Sequence, residues 1–455
     1  MSLYGTAFRG ILWPFYETLR GRKTPRLLRE AEIMQWKTSD EIRDLQWTRL
    51  QELLHHAYQA SPWHRDRFER LGISPGDIRT REDFKKLPAL TRDDINAFRD
   101  RMLSRDYTKR VYLHRTGGST GQPLQFYVNR ESYEWRVAVT LRGYGWAGCH
   151  DGEKQFYVWG APIGNVPFLK RAKASLHNLF LQRSVFSSFR FSEPAIRQCI
   201  REINLFRPQT IIGYTGALCL LAQYLMEHPQ KVFYPSAVIT GAEGVRDAQR
   251  QIIQKGFRAP VFASYGSREF MLIGMECSEH NGLHLNADNL FVEVVPPEDS
   301  ADSGSSAGEI LITDLHNFGM PFVRYKIGDL AVETNRVCRC GRGLPLLERV
   351  EGRILDLIRT PDGRIVPGEF FPHLMKEFDC VKQFQVVQKR MDALEIKLVL
   401  QGNGAGQGIK EIERHVKERL GDRTDVNIVV VPEIPLTGSG KFRVTVSELC
   451  ERSSE

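Results

Sequence analysis

Apolar positions recur at helical spacing through the first hundred residues. In "SDEIRDLQWTRLQELLHHAYQASPW", Ile42, Leu45, Leu50, Leu53, Leu54 and Ala57 fall on one side of a helix, and Ser39 and Asp40 stand where an N-cap belongs. "LPALTRDDINAF" repeats the order of cap, then helix. Residues from about 26 to 105 therefore read as helical. From Val111 to roughly Val350 the pattern changes to short β-branched runs separated by helical ones. "KQFYVWGA", "TIIGY", "SAVITGAE", "APVFASYG", "LFVEVV", "GEILITDL" and "AVET" are strand candidates; "AIRQCIREINLF" and "VRDAQRQIIQKGF" are helix candidates. Strands separated by helices imply parallel βαβ units, and the later strands, which lack helices between them, imply an added antiparallel or mixed sheet.

Two breaks divide the pattern. "EDSADSGSSAGE" reads as a polar surface loop between strands, and a boundary falls near "ERVEGRILDLI". After it, "VKQFQVVQ", "LEIKLVL", "IKEIERHVKERL" and "VNIVVV" give a compact strand–helix–strand set of small-domain size. The expected fold is thus α/β: a large domain over 1–350 built of βα units around mixed sheets, with 1–105 as a mainly helical extension, and a small α+β domain over 351–455. A chain of 455 residues carries two or three domains, so the length agrees.

The net charge of +8 suits an anionic small-molecule substrate, and no Lys/Arg run interleaved with aromatics points to nucleic acid. The start of the chain adds a question. Phe8, Ile11, Leu12, Trp13, Phe15 and Tyr16 mix with Arg9, Arg20, Arg22, Lys23, Arg26 and Arg29, a composition that suits peripheral contact with an anionic membrane. Pro14 interrupts the helical pattern, and packing on its own domain or on a partner chain is the competing expectation. No secretory signal or transmembrane run is evident. "IIGYTGALCLLAQYLM" reads as a strand end, a turn and a buried helix. The eight scattered cysteines suggest reduced thiols and a cytoplasmic setting.

Candidate chemistry lies at the strand ends. "RTGGSTGQPLQFY" packs Thr116, Gly117, Gly118, Ser119, Thr120 and Gly121 between two strand-like runs. Glycine allows close approach and hydroxyls with free N–H groups cradle anions, so a phosphate chain fits; a plain hairpin turn fits the same residues. "VITGAEGV" brings Gly241, Ala242 and Glu243 to a strand end, where doubly wound sheets bind ligands, or is a simple strand-to-helix loop. "ASYGSREF" offers Ser264, Tyr265 for stacking on a purine, the close-approach Gly266, and Glu269 as an oxygen ligand for Mg²⁺. "YKIGDL" carries Asp329, a ribose-binding carboxylate or a turn aspartate. "EGRILDLI" carries Arg353. "IPLTGSGKFR" places Lys441 on a Gly-rich loop; it is not a P-loop, because Pro435 stands where the first glycine belongs and Phe442 replaces Ser/Thr. "YVWGAP" and "IIGYTGA", with Trp159 and Tyr214, are candidate walls of a pocket for an apolar or aryl acid.

In order, these stretches resemble the adenylate-forming superfamily of acyl-CoA synthetases, luciferases and adenylation domains, and most closely the phenylacetate–CoA ligase branch with its CapK-like capsule-biosynthesis relatives. "SPWHRDRF" and "LPALTRDDI" resemble that branch's helical start, so the resemblance spans nearly the whole chain. It implies that a carboxylic acid is joined to ATP as acyl-AMP, then transferred to coenzyme A, or to an amine or hydroxyl. It also implies roles. Thr116–Gly121 would grip the phosphates, the Gly241–Glu243 and Ser264–Gly266 loops the adenine, Asp329 and Arg353 the ribose, Glu269 the Mg²⁺, and Lys441 would bridge carboxylate and α-phosphate from a mobile C-terminal domain. Three positions depart from the family pattern: Gln122 replaces a lysine, Arg268 a Ser/Thr, and Leu355 a hinge Asp/Lys. Arg268 is a candidate to recover the charge missing at Gln122; a nucleotide-binding protein without catalysis is the rival reading.

"ECSEHNGLHLN" and "RVCRCGRG" add a separate cluster. Cys277, His284, Cys338 and Cys340, with His280 as the substitute imidazole, supply four ligands for a structural zinc, as similar loops do in relatives of that branch; two reduced surface loops are the plain alternative. Cys149, Cys199, Cys219, Cys380 and Cys450 read as core or incidental. The identity of the acid, the acceptor, and the oligomeric state, a homodimer included, stay open at this stage.

Overall fold

The computed structural model describes residues 2–449 except 116–123, 160–167, 188–192, 229–230, 242–243, 297–306, 354–357, 363–364, 367–369, 376–377, 379, 401–404, 422 and 435–444. The residues form two compact units. The larger comprises Met1–Glu293, Leu311–Ile327 and Glu333–Arg349; the smaller comprises Val294–Ile310, Gly328–Val332 and Val350–Glu455.

The larger unit is built on a mixed sheet, as the strand pattern predicts. Strands Arg183–Ser187, Gln155–Trp159, Thr210–Tyr214, Ala237–Gly241 and Val261–Ser267 lie side by side in that order, every neighbouring pair parallel. Met271–Met275, Leu283–Leu285 and Leu346–Arg353 continue the sheet antiparallel. Side chains alternate across a strand, and both faces are covered. Phe156, Val158, Ile211, Val238 and Val261 face helices Glu193–Phe206, Thr215–Glu227 and Asp247–Phe257. Their sequence neighbours Tyr157, Trp159, Ile212, Ile239 and Phe262 pack on the other face with Ala147 and Cys149. Gly256 permits the close packing of the last two helices: a Cβ there would meet Ala222 Cα at 2.5 Å.

Two local expectations change. The long helix Ser39–Ala60 is capped by Thr38, not by Ser39 or Asp40; Thr38 and Glu41 complete a reciprocal capping box. The glutamate three residues on is what selects the cap. Pro14 does not break the amino-terminal helix. Helical turns at Leu3–Ala7 and Trp13–Leu19 join through a π turn at Phe8–Leu12, in which the Trp13 N–H reaches back to the Phe8 carbonyl. Pro14 occupies the first turn after this wide turn, where its missing N–H costs least.

The helix Arg130–Trp146 has no counterpart in the apolar pattern. It runs through the middle of the larger unit and buries Glu134, Arg136 and Arg142 as well as Trp135, Ala138 and Val139. Arg136 pairs with Asp314 at 2.5 Å. Arg142 makes a two-oxygen contact with Asp288 at 2.6 and 3.0 Å, and donates to the Asn286 side chain and the Ala31 carbonyl.

In the smaller unit, strands Val381–Arg390 and Ala393–Leu400 form an antiparallel hairpin flanked by the parallel strands Thr445–Ser447 and Asp425–Val430. Ile412, Val416 and Leu420 of helix Ala405–Leu420 close over Val386, Leu394, Ile396 and Leu398. Among the described residues, no helix is long and apolar enough to cross a membrane.

Removing one partner of a buried ion pair strands the other charge, so Arg142→Ala should cost about 3–5 kcal/mol in urea unfolding. Acid should also weaken the larger unit. Burial, with Arg67 adding, pulls His64 to about 3, and burial, with Arg49 adding, pulls His316 to about 4. Each ring nitrogen Nε2 donates to a backbone carbonyl, of Pro321 and of Asp288 respectively. Both values lie below the ordinary ~6.5, so the neutral forms' stabilisation is intact above that pH and lost as pH falls toward the folded-state values. The slope is about 1.4 kcal/mol per pH unit for each histidine below ~6, read from denaturation midpoints against pH and flattened in His64→Gln.

Candidate nucleotide site and cysteine–histidine cluster

The carboxyl ends of the parallel strands gather the first group of expected residues. Gly241 ends its strand beside Tyr214, and Ser264 and Tyr265 occupy the next strand. The Ser264 hydroxyl donates to the Thr240 carbonyl at 2.7 Å. A Cβ on Gly241 would stand 3.1 Å from Ser264 Oγ and 3.2 Å from Trp159, so glycine is what lets these two side chains converge on the strand end. Trp159 and Tyr214 lie with ring centroids 4.4 Å apart, tilted at 45°. Ligands of doubly wound sheets bind at this edge.

Gly266 is required for a different reason. A Cβ there would sit 2.3 Å from the Met271 carbonyl, across an irregular step in the pairing of Val261–Ser267 with Met271–Met275. The Ser267 hydroxyl accepts from the Phe270 N–H at 3.2 Å, which shapes the turn carrying Arg268 and Glu269. Glu269 is half-buried and Arg268 exposed. Strands Val111–Arg115 and Gln125–Asn129 form the hairpin that frames the Gly/Thr loop, with Arg115 opposite Gln125. His114 in the first of them is held below its usual pKa by burial, then by the charges of Arg136 and Arg268.

Asp329 is buried in the strand Tyr325–Thr334, after Gly328, whose φ of +85° favours glycine. Arg353 ends the strand Leu346–Arg353. Thr116–Gly121, Gln122, Ala242, Glu243, Leu355 and Lys441 lie outside the described residues, as does the Arg353 side chain.

The cysteine–histidine residues do converge. One ligand atom from each of Cys277, His284, Cys338 and Cys340 lies within 4.8 Å of every other. Cys277 Sγ is 3.6 Å from Cys338 Sγ, and Cys340 Sγ is 3.3 Å from His284 Nε2. These separations are near the edge lengths of a tetrahedron with ~2.3 Å metal–sulfur bonds, and three thiols with an imidazole are a structural-site donor set. The His284 Nδ1–H donates to the Leu344 carbonyl at 3.3 Å, leaving Nε2 free to ligate. His280 is turned away, with Nδ1 3.3 Å from Glu276. Burial pushes the Cys277 thiol up to about 12; at Cys340 burial also raises the pKa, but the hydrogen bonds from the Arg342 backbone and side chain, Cys338 and Cys277 together leave it lowered. Cys149, Cys199 and Cys219 are buried core residues.

One support around the cluster has no sequence signal. The Gln35 side-chain oxygen accepts from Trp146 Nε1 at 2.8 Å and Arg342 Nε at 2.9 Å, while its carbonyl accepts from Gly343 N–H. A Cβ on Gly343 would overlap the Lys37 carbonyl at 2.0 Å. The cluster loop is thereby locked to the helical extension some 300 residues earlier, a distance no local pattern reports.

Comparison with known proteins places this architecture. Residues 358–448 match the family model described as the CapK C-terminal domain. The chain is 25% identical over 425 residues to protein CapK of Staphylococcus aureus, covering 92% of each. It is 26% identical over 430 residues to phenylacetate–coenzyme A ligase of Escherichia coli K12, covering 89% of this chain and 94% of that one. A crystal structure of 2-hydroxyisobutyryl-CoA ligase, in the postadenylation state with R3-HIB-AMP, superposes with a TM-score of 0.70 over 92% of both chains at 19% identity. The chain has the adenylate-forming ligase fold, and its homologues are CapK and the phenylacetate–CoA ligases.

Proposed function

We propose that this chain is an AMP-forming carboxylate ligase that activates an organic acid with ATP and passes it to the thiol of coenzyme A. The observation that carries this reading is similarity to a phenylacetate–CoA ligase over 89% of this chain and 94% of that one; Gly241 at a strand end and Ser264 and Tyr265 on the adjacent strand support it. In the first step a carboxylate oxygen attacks the α-phosphorus of ATP. The acyl–phosphate bond forms, the bond to the β-phosphate oxygen breaks, and pyrophosphate leaves. In the second, the deprotonated thiol attacks the acyl carbon, the carbon–oxygen bond to AMP breaks, and a thioester and AMP result.

The first step brings anions together, so alignment and charge neutralisation are what the protein must supply. We assign the phosphates to Thr116–Gly121, the adenine to the strand-end loops Gly241–Glu243 and Ser264–Gly266, and the ribose to Asp329 and Arg353. Glu269 would hold Mg²⁺, which would supply positive charge at the phosphates. Lys441, from the carboxy-terminal domain 351–455, would neutralise the attacking carboxylate and the α-phosphate. Arg268 would take the phosphate-facing role that a lysine at position 122 would have, from the exposed turn between Val261–Ser267 and Met271–Met275. Trp159 and Tyr214 favour an apolar or aryl acid. The Cys277, His284, Cys338 and Cys340 cluster would hold a structural Zn²⁺, since all four positions are taken by protein ligands.

ATP–pyrophosphate exchange across aryl, fatty, hydroxy and amino acids tests the activity. One acid class should support exchange, Lys441→Ala should lower it by about 10²–10³-fold, and Arg268→Ala should raise KM for ATP by roughly tenfold. Absence of exchange despite ATP binding would instead favour a non-catalytic nucleotide binder. For the metal, elemental analysis should find about one zinc per chain. Cys277→Ser and Cys338→Ser should each lose it and lower Tm by at least ~2 °C, whereas His280→Ala should retain it.

A further inference from the structure

The amino-terminal rod Leu3–Leu19 and the helix Phe168–Phe180 touch each other. The Tyr4 hydroxyl donates to the Phe180 carbonyl at 2.8 Å, and Phe180 packs on Phe8 and Tyr16 at centroid distances of 4.9 and 5.1 Å. The rod's inner side, with Phe8, Trp13 and Glu17, is buried. Its outer side is apolar as well. Ile11, Phe15 and Leu19 follow one another at i, i+4 and i+8, and are 70%, 63% and 71% exposed. On the second helix Leu169, Leu176 and Leu179 are 80%, 73% and 67% exposed. Isolated exposed leucines are ordinary; six large ones on two contacting helices are not.

The charge next to these helices is mostly cationic. The rod itself carries Arg9 and Glu17, and Glu17 is 4% exposed and pairs with Arg22. Arg20, Arg22, Lys23, Arg26 and Arg29 follow it before Glu30, and residues 168–180 contain Lys170, Arg171 and Lys173 and no carboxylate. An apolar stripe with a cationic surround is the composition of a helix lying in the headgroup region of an anionic bilayer. A second copy of the chain fits less well, because a two-fold contact would oppose two cationic faces.

We propose that the rod Leu3–Leu19 and the helix Phe168–Phe180 together form a docking surface for an anionic lipid membrane, with Ile11, Phe15, Leu19, Leu169, Leu176 and Leu179 entering the interface. The surface holds the protein reversibly at the bilayer without spanning it.

Co-sedimentation of the full-length protein with vesicles tests this. Vesicles of phosphatidylcholine with about a third phosphatidylglycerol should pull the protein down, binding at least ~tenfold more tightly than pure phosphatidylcholine and releasing it as salt rises to ~0.5 M. Phe15→Glu combined with Leu176→Glu should weaken binding by about tenfold or more with Tm unchanged. Should that variant fold poorly, Lys170→Gln with Lys173→Gln keeps the test, and should release the protein at lower salt. No pull-down by anionic vesicles at low salt, or undiminished binding by both variants, overturns the proposal. So does a dimer in sedimentation equilibrium that the Glu variant dissociates, which would give the face to a second copy.

Discussion

The clasp around Arg142 holds the larger unit together. Its guanidinium, on the central helix Arg130–Trp146, joins Asp288, Asn286 and the Ala31 backbone carbonyl, all buried. Two charges taken out of water gain only if their geometry is good and their remaining valences are met; here the carboxylate is held by two parallel contacts and both terminal nitrogens of Arg142 have a second partner, while its Nε is buried without one. Asn286 in turn donates to the Leu272 carbonyl of the neighbouring strand. One arginine thus fixes the helical extension, the central helix, and the loop that follows His284. Such a network specifies one arrangement of those parts where an apolar contact would tolerate several.

That arrangement positions both candidate sites. The central helix packs against the sheet face that carries Tyr157 and Trp159, through Tyr144, Trp146 and Ala147. The strands then end together, and Gly241 and Gly266 admit the side chains and turn that the sheet edge needs. On the antiparallel side, Leu283–Leu285 pairs with Leu346–Arg353 and carries His284 alongside the Cys338–Cys340 loop. The cysteine–histidine cluster and the Gln35 contacts close the same junction from outside. A metal there would act on folding and on the seat of the extension, with no open coordination position for substrate.

The protein's cations fall in two environments. Arg136 and Arg142 are buried in ion pairs, while Arg20, Lys23, Arg26, Arg29 and Lys173 are exposed. A net charge of +8 on its own distinguishes none of these, because it sums residues that never share an environment.

The sequence by itself determined the element types wherever one face of a strand or helix meets one environment. The parallel strands from Gln155 to Ser267, the helices over 39–60 and 92–102, and the small-domain hairpin are all legible as apolar periods with local caps. It also held the order of the strand-end motifs and the four residues of the cysteine–histidine cluster, because chemistry-bearing residues are set by type. It could not show the helix Arg130–Trp146, whose buried arginines find their carboxylates some 145 to 180 residues later. It misplaced the break at Pro14, because the π turn that accommodates it depends on Phe8 and Trp13 packing inward. Only the tertiary structure supplies the reason that His284, the imidazole favoured from the sequence, joins the cluster and its substitute His280 does not, since both lie in one short loop. The strand pairing that turns one imidazole inward and leaves the other against Glu276 comes from residues far along the chain.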